Sequence, residues 1–233
     1  AGAILGDDGR IRFPRSLVED MIAKAAKEIT LFGRSTEHDM HIGGDRVYFG
    51  TAGAAVHMVD VEKNEYRECY VQDLFDAAKI VNELDNVHFL QRPMVCRDIA
   101  DNYEMDLNTV YACTKGTTKH VGASFTEPGF VKGIFELLHE IAGGEANWRA
   151  RPFVSNSNCF VVPPMKFAVE SCQVMEECVR GGMPVLLLSA GQAGATAPAP
   201  IAGAIVQAVA ECLAGLVYVN AMIPGHPAIF GTW

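Results

Sequence analysis

Three short polar clusters stand where apolar runs end. Asn156-Ser157-Asn158 closes the run 153–155, Gly191-Gln192 closes 185–189, and Gly231-Thr232-Trp233 closes 228–230. If those runs are parallel strands, the clusters lie at their C-terminal ends, where parallel α/β folds carry their reactive groups. Amide side chains placed there can hold a carboxylate or another polar substrate without adding charge. Equally, Asn156 and Asn158 can cap the next turn and Gln192 can face solvent. The substrate-binding candidates are Asn156, Asn158, Ser189, Gln192 and His226; no residue stands out as catalytic. His226 precedes the last run and, like His88 and His120, stands alone. A single histidine is more often a structural hydrogen-bonding residue than a ligand.

Other chemistry is thinly marked. The stretch Ser189-Ala190-Gly191-Gln192-Ala193-Gly194 is glycine-rich ahead of a helical segment, which can bind phosphate at a helix N-terminus, turn the chain sharply, or let another macromolecule approach. It lacks the Lys-Ser/Thr of a P-loop and the G-x-G-x-x-G of a dinucleotide site. His38 and His41 are three apart with no third ligand in view, so no metal site is expected. Tyr48, Phe49, Tyr103, Tyr111 and Phe160 are candidates for an aromatic cage around a quaternary ammonium group, with core packing as the commoner fate of such rings. Glu211 is a lone charge in an apolar segment. It meets solvent or an arginine, or it has a raised pKa near a site, and the structural role is favoured.

The elements that position these residues follow from periodicity. Residues 14–27 form a helix begun by Pro14. Segments 46–49 and 55–58 read as short strands on a glycine loop, and 72–84 as an amphipathic helix. Beyond residue 85, strands at 87–90, 120–124, 153–155, 185–189 and 228–230 alternate with helices at 107–113, 129–141, 165–180 and 201–219. Such alternation predicts a parallel α/β fold. The expected organisation is an N-terminal helix and small β layer over residues 1–60, then a partial (β/α)8 TIM-barrel domain over 61–233 with about five strands of the eight that a barrel needs. An open sheet would leave a bare edge, so further chain is expected to complete it.

Composition narrows the function. The 233 residues are 49% hydrophobic, enough for a sizeable core, and the net charge of −9 argues against nucleic-acid binding. The long apolar segment near the C-terminus holds Gln207, Glu211 and prolines, which favours a buried helix over a membrane span. Seven cysteines without a C-x-x-C pair point to reduced thiols and a cytoplasmic protein.

One segment also carries a resemblance. Gly194–Pro198 (Gly-Ala-Thr-Ala-Pro), the apolar helix 201–209, the turn at 210–215 and Pro224-Gly225-His226-Pro227 together resemble the signature of the trimethylamine methyltransferase superfamily, the corrinoid-dependent methylamine and betaine methyltransferases. Shorter similarities lie at 84–89, 117–121 and 141–144. The resemblance implies an eight-stranded barrel and transfer of a methyl group from a methylated amine or quaternary ammonium compound to Co(I) of a corrinoid. That cobalamin cofactor would be carried by a partner corrinoid protein and not bound by this chain. It also implies a homo-oligomer, and in founding members a pyrrolysine at a position beyond Trp233. Two alternatives stand beside it: a noncatalytic assembly subunit on a barrel scaffold, and another barrel enzyme such as a lyase acting on a carboxylate. A metal-dependent lyase needs converging carboxylates, and the strand ends here are nearly free of Asp and Glu.

Overall fold

The computed structural model describes residues 1–232; Trp233 of the third polar cluster lies outside the described residues. A hairpin of β1 (Ile4–Leu5) and β2 (Ile11–Arg12) comes first, followed by α1 (Arg15–Lys24), which starts behind Pro14 and buries Leu17 and Met21. Strands β3 (Ile29–Leu31) and β4 (Met40–Ile42) pair antiparallel, as do β5 (His57–Asp60) and β6 (Glu65–Glu68). Then come α2 (Val71–Glu83), β7 (Phe89–Gln91), α3 (Asn102–Gly116), β8 (His120–Ala123), α4 (Val131–Ala142), α5 (Glu145–Ala150) and β9 (Val154–Asn158). The chain continues through β10 (Val161–Val162), β11 (Lys166–Phe167), α6 (Val169–Arg180), β12 (Val185–Ser189), α7 (Ile201–Met222) and β13 (Ala228–Thr232).

Several expected elements differ. Residues 46–49 are not a strand. The carbonyl of Phe49 accepts from His88 N at 2.7 Å, and only Gly50 bridges to Phe89. The hairpin of β5 and β6 replaces the strand expected at 55–58. Its turn is tied by Arg67, which donates to Asp60 and Asp73. The helix expected at 165–180 begins at Val169 because Lys166–Phe167 is taken up in pairing with Val161–Val162.

The molecule divides into two compact units. One comprises residues 28–156, the other residues 1–27 together with 157–233. In the first, β7, β8 and β9 run parallel, with Gln91 opposite Gly122, Gly122 opposite Ser155 and Ala123 opposite Asn156. Leu90, Val121 and Val154 are buried on these strands, and Leu74, Ala78, Val110 and Cys113 on α2 and α3. Gly116 lets those two helices close together, since a Cβ there would lie 2.5 Å from Ala78 Cβ. Lys119 is buried, and its Nζ donates to the carbonyls of Val81, Leu84 and Val87, each at 2.7 Å. It thereby ties the last turn of α2 to the chain that leads into β7.

In the second unit β12 and β13 run parallel, Val185 to Ser189 opposite Ala228 to Thr232. Helix α7 packs on α1, β12 and β13, and Leu17, Met21 and Val217 form a buried cluster. By length and composition α7 could cross a bilayer. Here its Glu211, Cys212, Ala214 and Val217 are buried within the unit. Both units are therefore α/β with parallel strands, as the alternation of runs predicts.

Candidate functional site

In the unit of residues 28–156, three parallel strands deliver polar side chains to their C-terminal ends. Gln91 is the last residue of β7, and Arg92 follows it, extending the ladder through Arg92 N to the Gly122 carbonyl at 2.9 Å. Arg92 Nη2 donates to Ser124 Oγ, just past β8, at 2.8 Å. Asp106, in the first turns of α3, accepts from the backbone N and the Oγ1 of Thr126 at 2.8 and 2.9 Å. Burial pushes the Asp106 carboxyl up, against the opposing pull of the Thr126 hydrogen bonds and the Arg92 charge. Asn156 is 1% exposed, and neither its Oδ1 nor its Nδ2 has a hydrogen-bond partner. A buried amide left in that state costs stability until something fills its hydrogen bonds.

Deeper in the same strands His120 is held on both nitrogens. Nδ1 lies 2.8 Å from the Phe32 carbonyl and Nε2 lies 3.0 Å from Ser155 Oγ. A carbonyl only accepts, so Nδ1 carries the hydrogen and Nε2 accepts from the Ser155 hydroxyl. Burial lowers the imidazole pKa to about 4, so it is neutral at pH 7.

In the other unit a polar network closes the C-terminal end of β12. Ser189 Oγ donates to Glu211 Oε2 at 2.6 Å, while Met165 N and Gln207 Nε2 donate to Oε1 at 2.8 and 3.1 Å. Three donors thus surround one carboxylate that is 1% exposed. Gln207 Nε2 also donates to the Thr196 carbonyl at 2.9 Å, and Thr196 Oγ1 accepts from Gln192 N at 3.0 Å. The Gln192 carbonyl takes the backbone N–H groups of Ala195, Thr196 and Ala197. The glycine-rich loop is therefore a folded platform clamped to β12 and α7 from below.

The structure brings Ser189 and the backbone of Gln192 into this one network, with the Gln192 side chain exposed. Asn158 is buried. Its Nδ2 donates to the Ser171 carbonyl of α6 at 2.9 Å, and its Oδ1 has no partner. His226 sits at the start of β13, the end opposite Ser189, where its Nε2 donates to the Met183 carbonyl at 2.9 Å. Burial lowers its pKa. Glu211, read from sequence as structural, proves to be the hub of the network. The rings singled out for a cage are spread out within their units. Tyr48 and Phe49 pack on His88, Tyr103 on Phe130, and Tyr111 beside Lys115; Phe160 packs on Phe167. Among the described residues no three His, Cys, Asp or Glu side chains group as metal ligands. Sequence reading passed over Gln91. The available signal was Gly122, a glycine inside a fully buried strand, which often marks a close approach.

Comparison with known proteins gives a family for this arrangement. The family described as Trimethylamine methyltransferase (MTTB) matches residues 1–233. The trimethylamine methyltransferase MttB of Desulfitobacterium hafniense is 29% identical over 222 residues, 95% of this chain and 44% of that protein. MttB1 of Methanosarcina mazei is 27% identical over 226 residues, 95% of this chain and 46% of its own length. The glycine betaine methyltransferase of D. hafniense is 27% identical over 225 residues, 96% of this chain and 46% of its own length. The chain spans less than half the length of these relatives.

Proposed function

The chain belongs to the trimethylamine methyltransferase family, and from that premise we propose that it is part of an enzyme that moves a methyl group from a methylated amine or quaternary ammonium compound to the Co(I) corrinoid of a partner protein. The observation that carries the reading is the match along the whole chain to methyltransferases of both donor classes, trimethylamine and glycine betaine. The corrinoid supplies the nucleophile and arrives as a substrate on its own protein. This chain's task is to bind and orient the donor at the strand ends. In keeping with that task, each unit ends its parallel strands in polar side chains, Gln91 in one and Ser189 in the other, and the loop after β12 is pre-organised.

We further assign the parallel strands to a (β/α)8 barrel completed by additional chain, in a cytoplasmic homo-oligomer. Cysteines held as free thiols fit that location. The assembly-subunit and lyase readings are less favoured, because each relative named above is a methyltransferase.

The test is methyl transfer by the full-length protein. A corrinoid protein held as Co(I) is mixed with trimethylamine, glycine betaine, carnitine or dimethylsulfoniopropionate, and the visible spectrum follows cobalt. Methyl-Co(III) appearing with one donor is the expected result. Loss of rate in Asn158→Ala or Gln192→Ala would support the strand-end residues. A folded protein that transfers methyl from none of the four would overturn the reading.

A further inference from the structure

Gln91 and Gly122 are opposite one another on β7 and β8, and Gly122 is in turn opposite Ser155 on β9. The Gln91 side chain lies across Gly122. A Cβ built on that glycine would overlap Gln91 Oε1 and sit 2.8 Å from its Cδ and 3.3 Å from its Nε2. Every other residue type would displace the carboxamide. The face on which this happens is fixed by its neighbour. His120, two residues before Gly122 and so on the same face of β8, reaches the Phe32 carbonyl and Ser155 and not a helix. Gln91, which lies over Gly122, is on that same face, away from helices α2 and α3. It is also the last residue of its strand, at the end where parallel folds bind substrate.

We propose that the Gln91 carboxamide touches the methyl donor and that Gly122 is a positioning residue which leaves room for it. This assignment rests on the methyltransferase reading. Its chemical ground is what happens to charge. In transfer from a quaternary ammonium donor the N–CH3 bond breaks and its electron pair stays on nitrogen. The methyl carbon takes the electron pair of Co(I), giving methyl-Co(III) and a neutral tertiary amine. The positive charge on nitrogen is thus lost on the way to the transition state. A carboxylate beside it would stabilise the bound donor and surrender that stabilisation as reaction proceeds, raising the barrier. An amide oxygen accepts weak C–H contacts from N-methyl groups without that penalty. The other members of the row are equally uncharged: a glycine and Ser155, whose hydroxyl is committed to His120.

The experiment is a double-mutant cycle in the full-length protein, with Gln91→Ala, Gly122→Ala, both together, and Gln91→Glu. Formation of methyl-Co(III) is read with glycine betaine and with trimethylamine, and circular dichroism checks the fold. Gln91→Ala and Gly122→Ala should each lower kcat/KM, for whichever of the two donors wild type turns over, by about 10- to 100-fold, the usual cost of a misplaced binding group. The double variant should be no worse than Gln91→Ala, because Gly122→Ala acts only through the displaced amide. Gln91→Glu should lower KM and kcat together, a split that a purely structural role would not give. The assignment is overturned if wild type is active while Gln91→Ala and Gln91→Glu stay within twofold of it. It is equally overturned if the two alanine losses multiply. A wild type that transfers methyl from neither donor counts against the methyltransferase reading itself and removes the basis for the assignment.

Discussion

Two buried polar residues hold separate parts of the structure, and each makes a prediction of its own. Glu211 gathers Ser189, Met165 N and Gln207 around one carboxylate. Replacing it by alanine takes the acceptor from the buried Ser189 hydroxyl and from the part-buried Met165 N and Gln207 Nε2, and leaves a void at a buried position. Glu211→Ala should therefore lose on the order of 3 kcal/mol of stability, while Glu211→Gln, which keeps the shape and one acceptor oxygen, should lose less. Urea unfolding of the two variants checks the order. His120 makes its prediction through pH. Its pKa falls from 6.5 to about 4 on burial, so the unfolded chain takes up a proton in that window which the folded chain refuses. Its contribution is complete above pH 6.5 and is lost as pH falls toward 4, by on the order of 3 kcal/mol. His226, also lowered by burial, acts in the same direction. Urea midpoints at several pH values between 7.5 and 4 should fall steadily in wild type. They should fall less steeply in His120→Gln, whose amide cannot take a proton in that range.

At the scale of elements, the junction of α2 and β8 depends on Lys119. Its three bonds to the carbonyls of Val81, Leu84 and Val87 hold the end of α2, and burial lowers its pKa. Lys119→Met keeps the stem but removes the charged donor that the three carbonyls share, and should cost about 2 kcal/mol, seen as a lower thermal midpoint with α2 amides exchanging faster. Elements of this kind differ in how well sequence announces them. Strand β12 is apolar up to its last residue, Ser189, and is flanked by glycines, so its limits at Val185 and Ser189 read directly from the chain. Strand β9 runs on through Asn156 and Asn158, because their polar side chains are carried into buried positions that no periodicity would assign to them. The hairpin of β5 and β6 has little apolar alternation. It is set by Arg67 with Asp60 and Asp73, partners whose proximity exists only after folding. The candidate site divides in the same way. Ser189 and Gln192 were legible as strand-end residues. Gln91 was not, since its importance comes from lying over a glycine thirty-one positions further along the chain.

For the molecule as a whole, the cysteines offer a test that spans both units. Of the seven, Cys159 is exposed and the other six are buried, with no disulfide. Burial raises the thiols of Cys96 and Cys172 to about 11 and that of Cys113 to about 12, and those of Cys69 and Cys212 move the same way. The thiolate is the reactive species, so these groups are protected twice, by access and by protonation. Brief treatment of the native protein with an excess of a thiol-specific alkylating reagent at pH 7.5, followed by peptide mass mapping, should label Cys159 ahead of the other six cysteines of this chain. Labelling of all seven should require denaturant. The slow reaction of Cys69, Cys96 and Cys113 then reports opening of the unit at 28–156, and that of Cys172, Cys178 and Cys212 opening of the other, each on its own clock. Rapid modification of any of the six in the absence of denaturant would mean that the packing around it is not as described. The strand in that unit, β8 in one or β12 in the other, would then lack the rigid support that its packed neighbours give it.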